Sequence, residues 1–266
     1  MKRFIPFMKS GPMVAVLRLN GVIASGGRGQ TLNDATLAPL MEKAFRKGKP
    51  KAVALVINSP GGSPVQSSLI GARIKRLAKE NDVKTYAFVE DVAASGGYWL
   101  AASADEIWVD DSSIVGSIGV ISASFGFHEL LERYGVERRV YTAGKDKSML
   151  DPFRPEKADD VRRLKELQQQ IHDHFIAHVK ANRGDRLSDH EDLFTGEIWV
   201  GDKAREVGLI DGVAHVVPKM KELFGDKVRF QVYGQKRSIL SRFGGQVIAD
   251  TAAHMDDRAL WSRFGL

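Results

Sequence analysis

Two glycine-rich turns and one serine define the chemistry this chain could do. Ser59-Pro-Gly-Gly-Ser63 and Ala93-Ala-Ser95-Gly-Gly97 each follow an apolar run. Neither carries the Gly-Lys-Ser/Thr ending of a nucleotide-binding loop, and neither is a dinucleotide GxGxxG. A glycine turn between a strand and a helix leaves backbone N–H groups free, and these can bind an anion or a developing oxyanion. Ser95 stands at such a turn among small residues that leave its hydroxyl accessible. The plainer reading is that it only caps the following helix. A serine nucleophile needs a base. The histidines at 128, 172, 174, 178, 190, 215 and 254 have no telling context. His174 and His178 are one helical turn apart, but no glutamate completes a zinc-protease motif, so solvated helix histidines are the simpler reading. His128 is a candidate triad base. Lysine is the remaining candidate, in Tyr141-Thr-Ala-Gly-Lys145-Asp-Lys147-Ser148, which reads as a segment following a strand. The residues alone leave the base undecided.

The elements that must position these groups follow from periodicity. Met13–Asn20 alternates as a strand, and residues 33–47 place Leu37, Leu40, Met41 and Phe45 on one helical face. Lys51–Asn58 is almost continuously apolar, as in a parallel strand buried on both faces. Ser63, Pro64 and Gln66 form the start of a helix, with Ser63 as cap and Gln66 completing a capping box. Lys84–Val89 and Glu106–Val109 read as strands, Ser95 opens a helix, and Ile118–Ser122 is expected as a further strand. The recurrence implies right-handed crossovers and a mostly parallel sheet. Between Glu156 and Asn182 the apolar residues Val161, Leu164, Leu167, Ile171, Phe175 and Val179 recur at helical spacing. After Pro218 the pattern weakens, although residues 247–264 could form a loose amphipathic helix. We therefore expect a basic tail over 1–13, a main domain over 14–217 and a basic extension over 218–266.

Composition narrows the classes. The chain has 266 residues, 43% hydrophobic and 27% charged, as expected of a globular protein with its own core. It has no cysteine, which excludes disulfides, zinc-thiolate sites, iron–sulfur clusters and cysteine catalysis. The net charge of +6 is concentrated at the ends, +3 over residues 1–13 and +4 over 218–266, leaving −1 between them. A nucleic-acid groove would concentrate bases on the folded domain, so no nucleic-acid partner is expected. Basic ends suit solubility or peripheral attraction to an anionic membrane surface. No run reaches the ~18–20 apolar residues of a membrane span, and the stretch after Lys2 and Arg3 is too short for a signal-peptide core. The expected location is cytoplasmic, at most peripheral at the inner face of the membrane.

Five motifs taken together resemble the signal peptide peptidase A family of Ser/Lys serine peptidases: Asn58-Ser-Pro-Gly-Gly62, Ala94-Ser95-Gly-Gly-Tyr-Trp99, Gly116-Ser117-Ile-Gly-Val120, Gly144-Lys-Asp-Lys147 and Gly208-Leu-Ile-Asp211. The resemblance implies an α/β fold of the Clp/crotonase type and peptide-bond hydrolysis through an acyl-enzyme, without a metal or nucleotide cofactor. It makes Ser95 the nucleophile, Lys147 the general base, Ser117 the residue that orients the lysine amine, and the Gly62 and Gly96 N–H groups the oxyanion donors. It also implies a homo-oligomeric ring or dome with active sites at subunit boundaries, acting on peptides or unfolded segments. A lysine base carries a physical demand: at a pKa of ~10.4 only about 0.04% is neutral at pH 7, and lowering it to ~8 takes about 3 kcal/mol of burial or nearby positive charge. In an extended segment Lys145 would share a face with Lys147 while Asp146 pointed away. Two other readings use the same fold: a crotonase-like acyl-CoA enzyme, with the glycine turns holding a thioester oxyanion, and a non-catalytic oligomeric scaffold.

Overall fold

The computed structural model describes residues 11–26, 31–144, 147–235, 258 and 260–266. The chain divides into two compact units, Met1–Ile118 with Ile176–Leu266, and Gly119–Phe175.

The first unit is built on a parallel sheet. β1 (Met13–Asn20), β2 (Ala52–Ser59) and β3 (Lys84–Ala94) lie side by side in parallel register. β2 is buried along its whole length, which explains why its sequence is apolar without alternation. β3 is longer than its neighbours and serves two of them. Its residues Tyr86–Val89 pair with β4 (Glu106–Val109), and Val92–Ala94 pair with β5 (Ile114–Gly116). Between these stretches the register against β2 shifts, so that Ile57 faces Val89 but Ser59 faces Ala93. The Asn58 side chain occupies the irregularity, accepting from the Val92 N–H and donating to Asp91. Beyond β5 lies β6 (Ile198–Val200), antiparallel to it; β7 (Gly212–Val213) extends β4, and β8 (Arg229–Tyr233) pairs with β1. The α/β class and the mostly parallel sheet agree with the sequence.

Helices cover the sheet because alternate strand residues point to opposite faces. α1 (Asp34–Arg46) packs on β1, and α2 (Pro64–Asn81) packs on α1 and on α3 (Gly96–Ala102). Leu37, Met41 and Phe45 of α1 and Ile70, Ile74 and Leu77 of α2 are fully buried, each contributing about 1.5–3 kcal/mol. On another side Val14, Val16, Ala54, Val56 and Phe88 cluster with Met220 of α7 (Val216–Phe224), which follows the short α6 (Gly201–Glu206) in the chain. Residue 218 therefore falls inside α7, and the segment after it supplies β8.

The second unit contains α4 (His128–Arg133) and the beginning of α5 (Ala158–Arg183), which ends in the first unit. Local bonds hold it: Phe127 N–H to the Pro152 carbonyl at 2.6 Å, Leu150 N–H to Asp160, and the Phe127 and Phe153 rings stacked at 5.6 Å. Among its described residues only Phe175 is buried. Phe125, Tyr134 and Tyr141 are 74–91% exposed, and so are large parts of Leu167 and Ile171 on the α5 stripe.

Three local expectations are corrected. Ile118–Ser122 is not a strand: Gly116 and Ser117 both take positive φ, 97° and 50°, which ends the extended backbone before Ile118. No strand precedes Tyr141 either, and residues 147–150 form a turn, not an extended segment. Ser63 does cap α2, accepting from the Gln66 N–H, but the reciprocal half of the capping box is absent. The Ser63 N–H goes to the Ile23 carbonyl at 2.7 Å, and the Gln66 side chain accepts from Asp34 of α1 instead. The expected side-chain directions of Lys145 and Asp146, and most of the helix at 247–264, fall outside the described residues.

Candidate active site

Ser95 sits at the corner where β3 ends and α3 begins, with φ 51° and ψ −122°. A non-glycine residue held there costs on the order of 1–3 kcal/mol and persists only where its surroundings impose it. The imposing contacts are visible: the Ser95 N–H donates to the Gly116 carbonyl at 2.9 Å, and its own carbonyl accepts from Trp99. Its side chain makes no capping bond to α3, so the capping reading does not explain this serine.

Two backbone donors lie beside it. Gly96 is the first residue of α3, where an N–H has no partner inside the helix. Gly62 bridges Ile23 through the Gly61 carbonyl and the Ser63 N–H, which leaves its own N–H outside the ladder. The two approach closely: a β-carbon at Gly96 would lie 3.4 Å from the Gly62 nitrogen and only 2.4 Å from the Ser67 hydroxyl. A β-carbon at Gly62, at φ 137°, would lie 2.1 Å from the Ile23 carbonyl oxygen. Gly62 therefore requires glycine, because fixed backbone stands in the way, whereas a side chain at Gly96 would have to displace the Ser67 hydroxyl. Ile23 and Ser67 are contributors that the sequence did not flag; nothing in their types or spacing marks them.

Ser117 is buried and directly follows Gly116, the residue that accepts from Ser95; its own N–H donates to the Glu197 carbonyl at 2.7 Å. Ser95, Gly96, Gly62 and Ser117 thus meet within the first unit. Lys147 belongs to the second. It is exposed in the single chain, and its N–H reaches the Gly144 carbonyl at 3.3 Å. His128 opens α4, also in the second unit.

Behind the serine, α3 is pinned by groups outside the motif. The His178 ring of α5 stacks on Trp99 at 4.3 Å and 11°. Asn182 Nδ2 donates to His178 Nδ1, so Nε2 carries the proton and donates to the Trp99 carbonyl at 3.1 Å. Burial pushes this imidazole down to about 4, with the Lys75 charge assisting and the Trp99 bond opposing. Further along, the buried Arg183 grips Asp211 with two bonds, 2.7 and 3.2 Å, and the Gly208 carbonyl with a third. Burial alone would raise the Asp211 carboxyl; bonds from Arg183 and the Ile107 N–H outweigh it and hold the group below its usual range. The Gly208-Leu-Ile-Asp211 motif is thus the anchor for the end of α5.

The family model for peptidase family S49 matches residues 77–225, a stretch that contains Ser95, Ser117 and Lys147. The chain belongs to peptidase family S49. Among curated relatives it is 29% identical to a putative signal peptide peptidase SppA of Enterococcus faecium, over 82% of this chain and 64% of that one. It is 32% identical to a putative protease of Methanocaldococcus jannaschii, over 69% of this chain and 58% of that protein. A Brucella melitensis protein named as the Na+/H+ antiporter NhaA is 49% identical across the whole of this chain, which spans 39% of it. The chain thus covers between about two-fifths and two-thirds of the length of these relatives. In fold it is similar to a mutant of the membrane-bound stomatin-specific protease 1510-N, with a TM-score of 0.51 and 14% identity over 86% of this chain and 99% of that one. The signal peptide peptidase A resemblance read from the five motifs holds for this S49 chain. No helix among the described residues is long and apolar enough to cross a membrane.

Proposed function

We propose that this S49 chain is a serine endopeptidase that hydrolyses peptides or unfolded segments through a Ser95–Lys147 dyad. The observation that carries the reading is the strained Ser95 corner, its side chain unused as a cap, beside the Gly62 and Gly96 N–H groups. The neutral Lys147 amine takes the Ser95 hydroxyl proton as Oγ attacks the substrate carbonyl carbon. The carbonyl oxygen becomes an oxyanion that accepts from Gly62 and Gly96. Lys147 then gives its proton to the departing amine, leaving the acyl group on Ser95 for hydrolysis by water. Ser117 orients the lysine amine.

Assembly is part of the proposal. A lysine base needs desolvation, yet Lys147 is exposed in the single chain. The exposed aromatics of the second unit add an apolar surface of the kind that subunits cover. Both support a homo-oligomeric ring in which neighbouring chains complete the site.

A serine-directed fluorophosphonate followed by peptide mapping tests the chemistry. Label at Ser95, lost in Ser95→Ala, supports the peptidase. Coenzyme A binding without label would instead support a crotonase-like acyl-CoA enzyme, and neither outcome would leave a scaffold. The antiporter name belongs to a Brucella protein of which this chain spans 39%, and it carries no reading of this chain.

A further inference from the structure

The first unit carries a cavity of about 1020 Å³ that includes none of Ser95, Gly62, Gly96 or Ser117 in its lining. Its lining is largely apolar, with Val56 and Phe88 of the sheet, Phe230 and Val232 of β8, and Val217 at the start of α7. Its polar groups are engaged within the chain: Arg18 bonds Glu90 at 2.8 Å, His215 bonds Asp110 at 2.9 Å, and the Asp91 carboxylate accepts from the Asn58 side chain. Such a site selects an apolar occupant, because a charged one would have to break these pairs or enter without a partner. The volume suits several side chains together.

The chain itself indicates what kind of molecule enters. Phe264 and Leu266 from the segment Trp261–Leu266 form part of the lining. That segment is closed by a local turn, Phe264 N–H to Trp261 O and Leu266 N–H to the same carbonyl. Its seat is shallow, since Leu266 remains 51% exposed. A shallow occupant is readily exchanged for a better one.

We propose that this cavity is a second peptide-binding site, taking an apolar peptide segment with an aromatic and a branched aliphatic side chain two residues apart. The chain's own Phe264-Gly265-Leu266 is its resident competitor. The proposal does not depend on the Ser95 reading. A tethered segment competes at an effective concentration on the order of 1 mM, so an intrinsic Kd of about 100 µM would weaken an added peptide about tenfold.

The test uses the full chain carrying Ser95→Ala, so that no probe is cleaved, and a fluorescently labelled peptide of residues 258–266. Fluorescence anisotropy should give about tenfold tighter binding to Phe264→Ser/Leu266→Ser than to the chain with its own tail intact. Adding Val217→Arg, at a position 49% exposed and so tolerant of change, should abolish it. Val232→Glu, at a second exposed wall position, should act alike. Circular dichroism and thermal melting establish that each variant is folded. Equal binding with and without the tail substitutions, weaker binding in the tail variant, or indifference to both wall substitutions would overturn the proposal. Binding of oleate in place of the peptide would make the cavity a lipid site and overturn it equally.

Discussion

Ser95 combines three requirements in one residue: a strained backbone, a side chain free of capping duty and two nearby N–H donors. Ser95→Ala and Lys147→Ala should each lower kcat by at least about 10³-fold, and the double variant should lose little more, because a nucleophile and its base act as a unit. On the proposed role of Ser117 in orienting the lysine amine, Ser117→Ala should lower kcat roughly tenfold to a hundredfold. Gly62→Ala pushes against the Ile23 carbonyl, and on the proposed role of the Gly62 N–H as an oxyanion donor it should cost about 10²–10³ in kcat. Peptide hydrolysis measured with chemistry rate-limiting should climb from pH 6 to pH 9, since only a neutral lysine accepts a proton. A flat profile would argue against lysine. A midpoint near 6.5 that vanishes in His128→Ala would transfer the role of base to that histidine.

At the scale of elements, α3 and α5 hold the serine corner from behind, and each anchor has a measurable consequence. His178 stays neutral in the folded chain because burial pushes it down to about 4, whereas an unfolded histidine protonates near 6.5. Between those values the unfolded chain binds more protons, so stability rises with pH and is lost as pH falls from about 6.5 to about 4. The interval is worth on the order of 2–3 kcal/mol after allowance for partial exposure. Urea unfolding at several pH values should show this slope, and His178→Gln should remove it. Asp211→Asn leaves the buried Arg183 without its carboxylate and should cost about 3–5 kcal/mol. These anchors were only partly legible in the sequence. Gly208-Leu-Ile-Asp211 is recognisable as a motif, but its partner Arg183 lies 28 residues before Asp211, just past the helical pattern that ends at Asn182, and nothing in its spacing marks it. Strands with one buried face or two, such as Met13–Asn20 and Lys51–Asn58, could be read from hydrophobic pattern because burial dictates it. β8 could not, since its five residues form an edge paired only with β1 among the described residues and are mostly exposed. The Ser95 turn was legible from its small residues, but its backbone angles were not, because they are imposed by Gly116 and by α3.

For the whole molecule, the second unit has too little buried apolar surface in a single chain to account for its aromatic content. If neighbouring chains complete the site, mixing Ser95→Ala with Lys147→Ala under subunit exchange should restore activity. With unbiased pairing of equal amounts, about a quarter of interfaces would hold an intact serine and an intact lysine, on the reading that the two act as a unit. No recovery despite demonstrated exchange would place the dyad within one chain. The basic ends should also bring the protein to anionic but not neutral vesicles, with binding that fades as salt screens about 1 kcal/mol per base near the surface. Equal binding to both, or to neither, would refute it. One feature of β3 bears on how such a molecule can change over time. Because its first stretch is registered on β2 and β4 while Val92–Ala94 is registered separately on β5, the Asn58–Asp91 step works like an expansion joint. Mutations that shift the packing of the early sheet can be absorbed there before they reach the serine. The scaffold and the reactive corner are therefore free to drift at different rates.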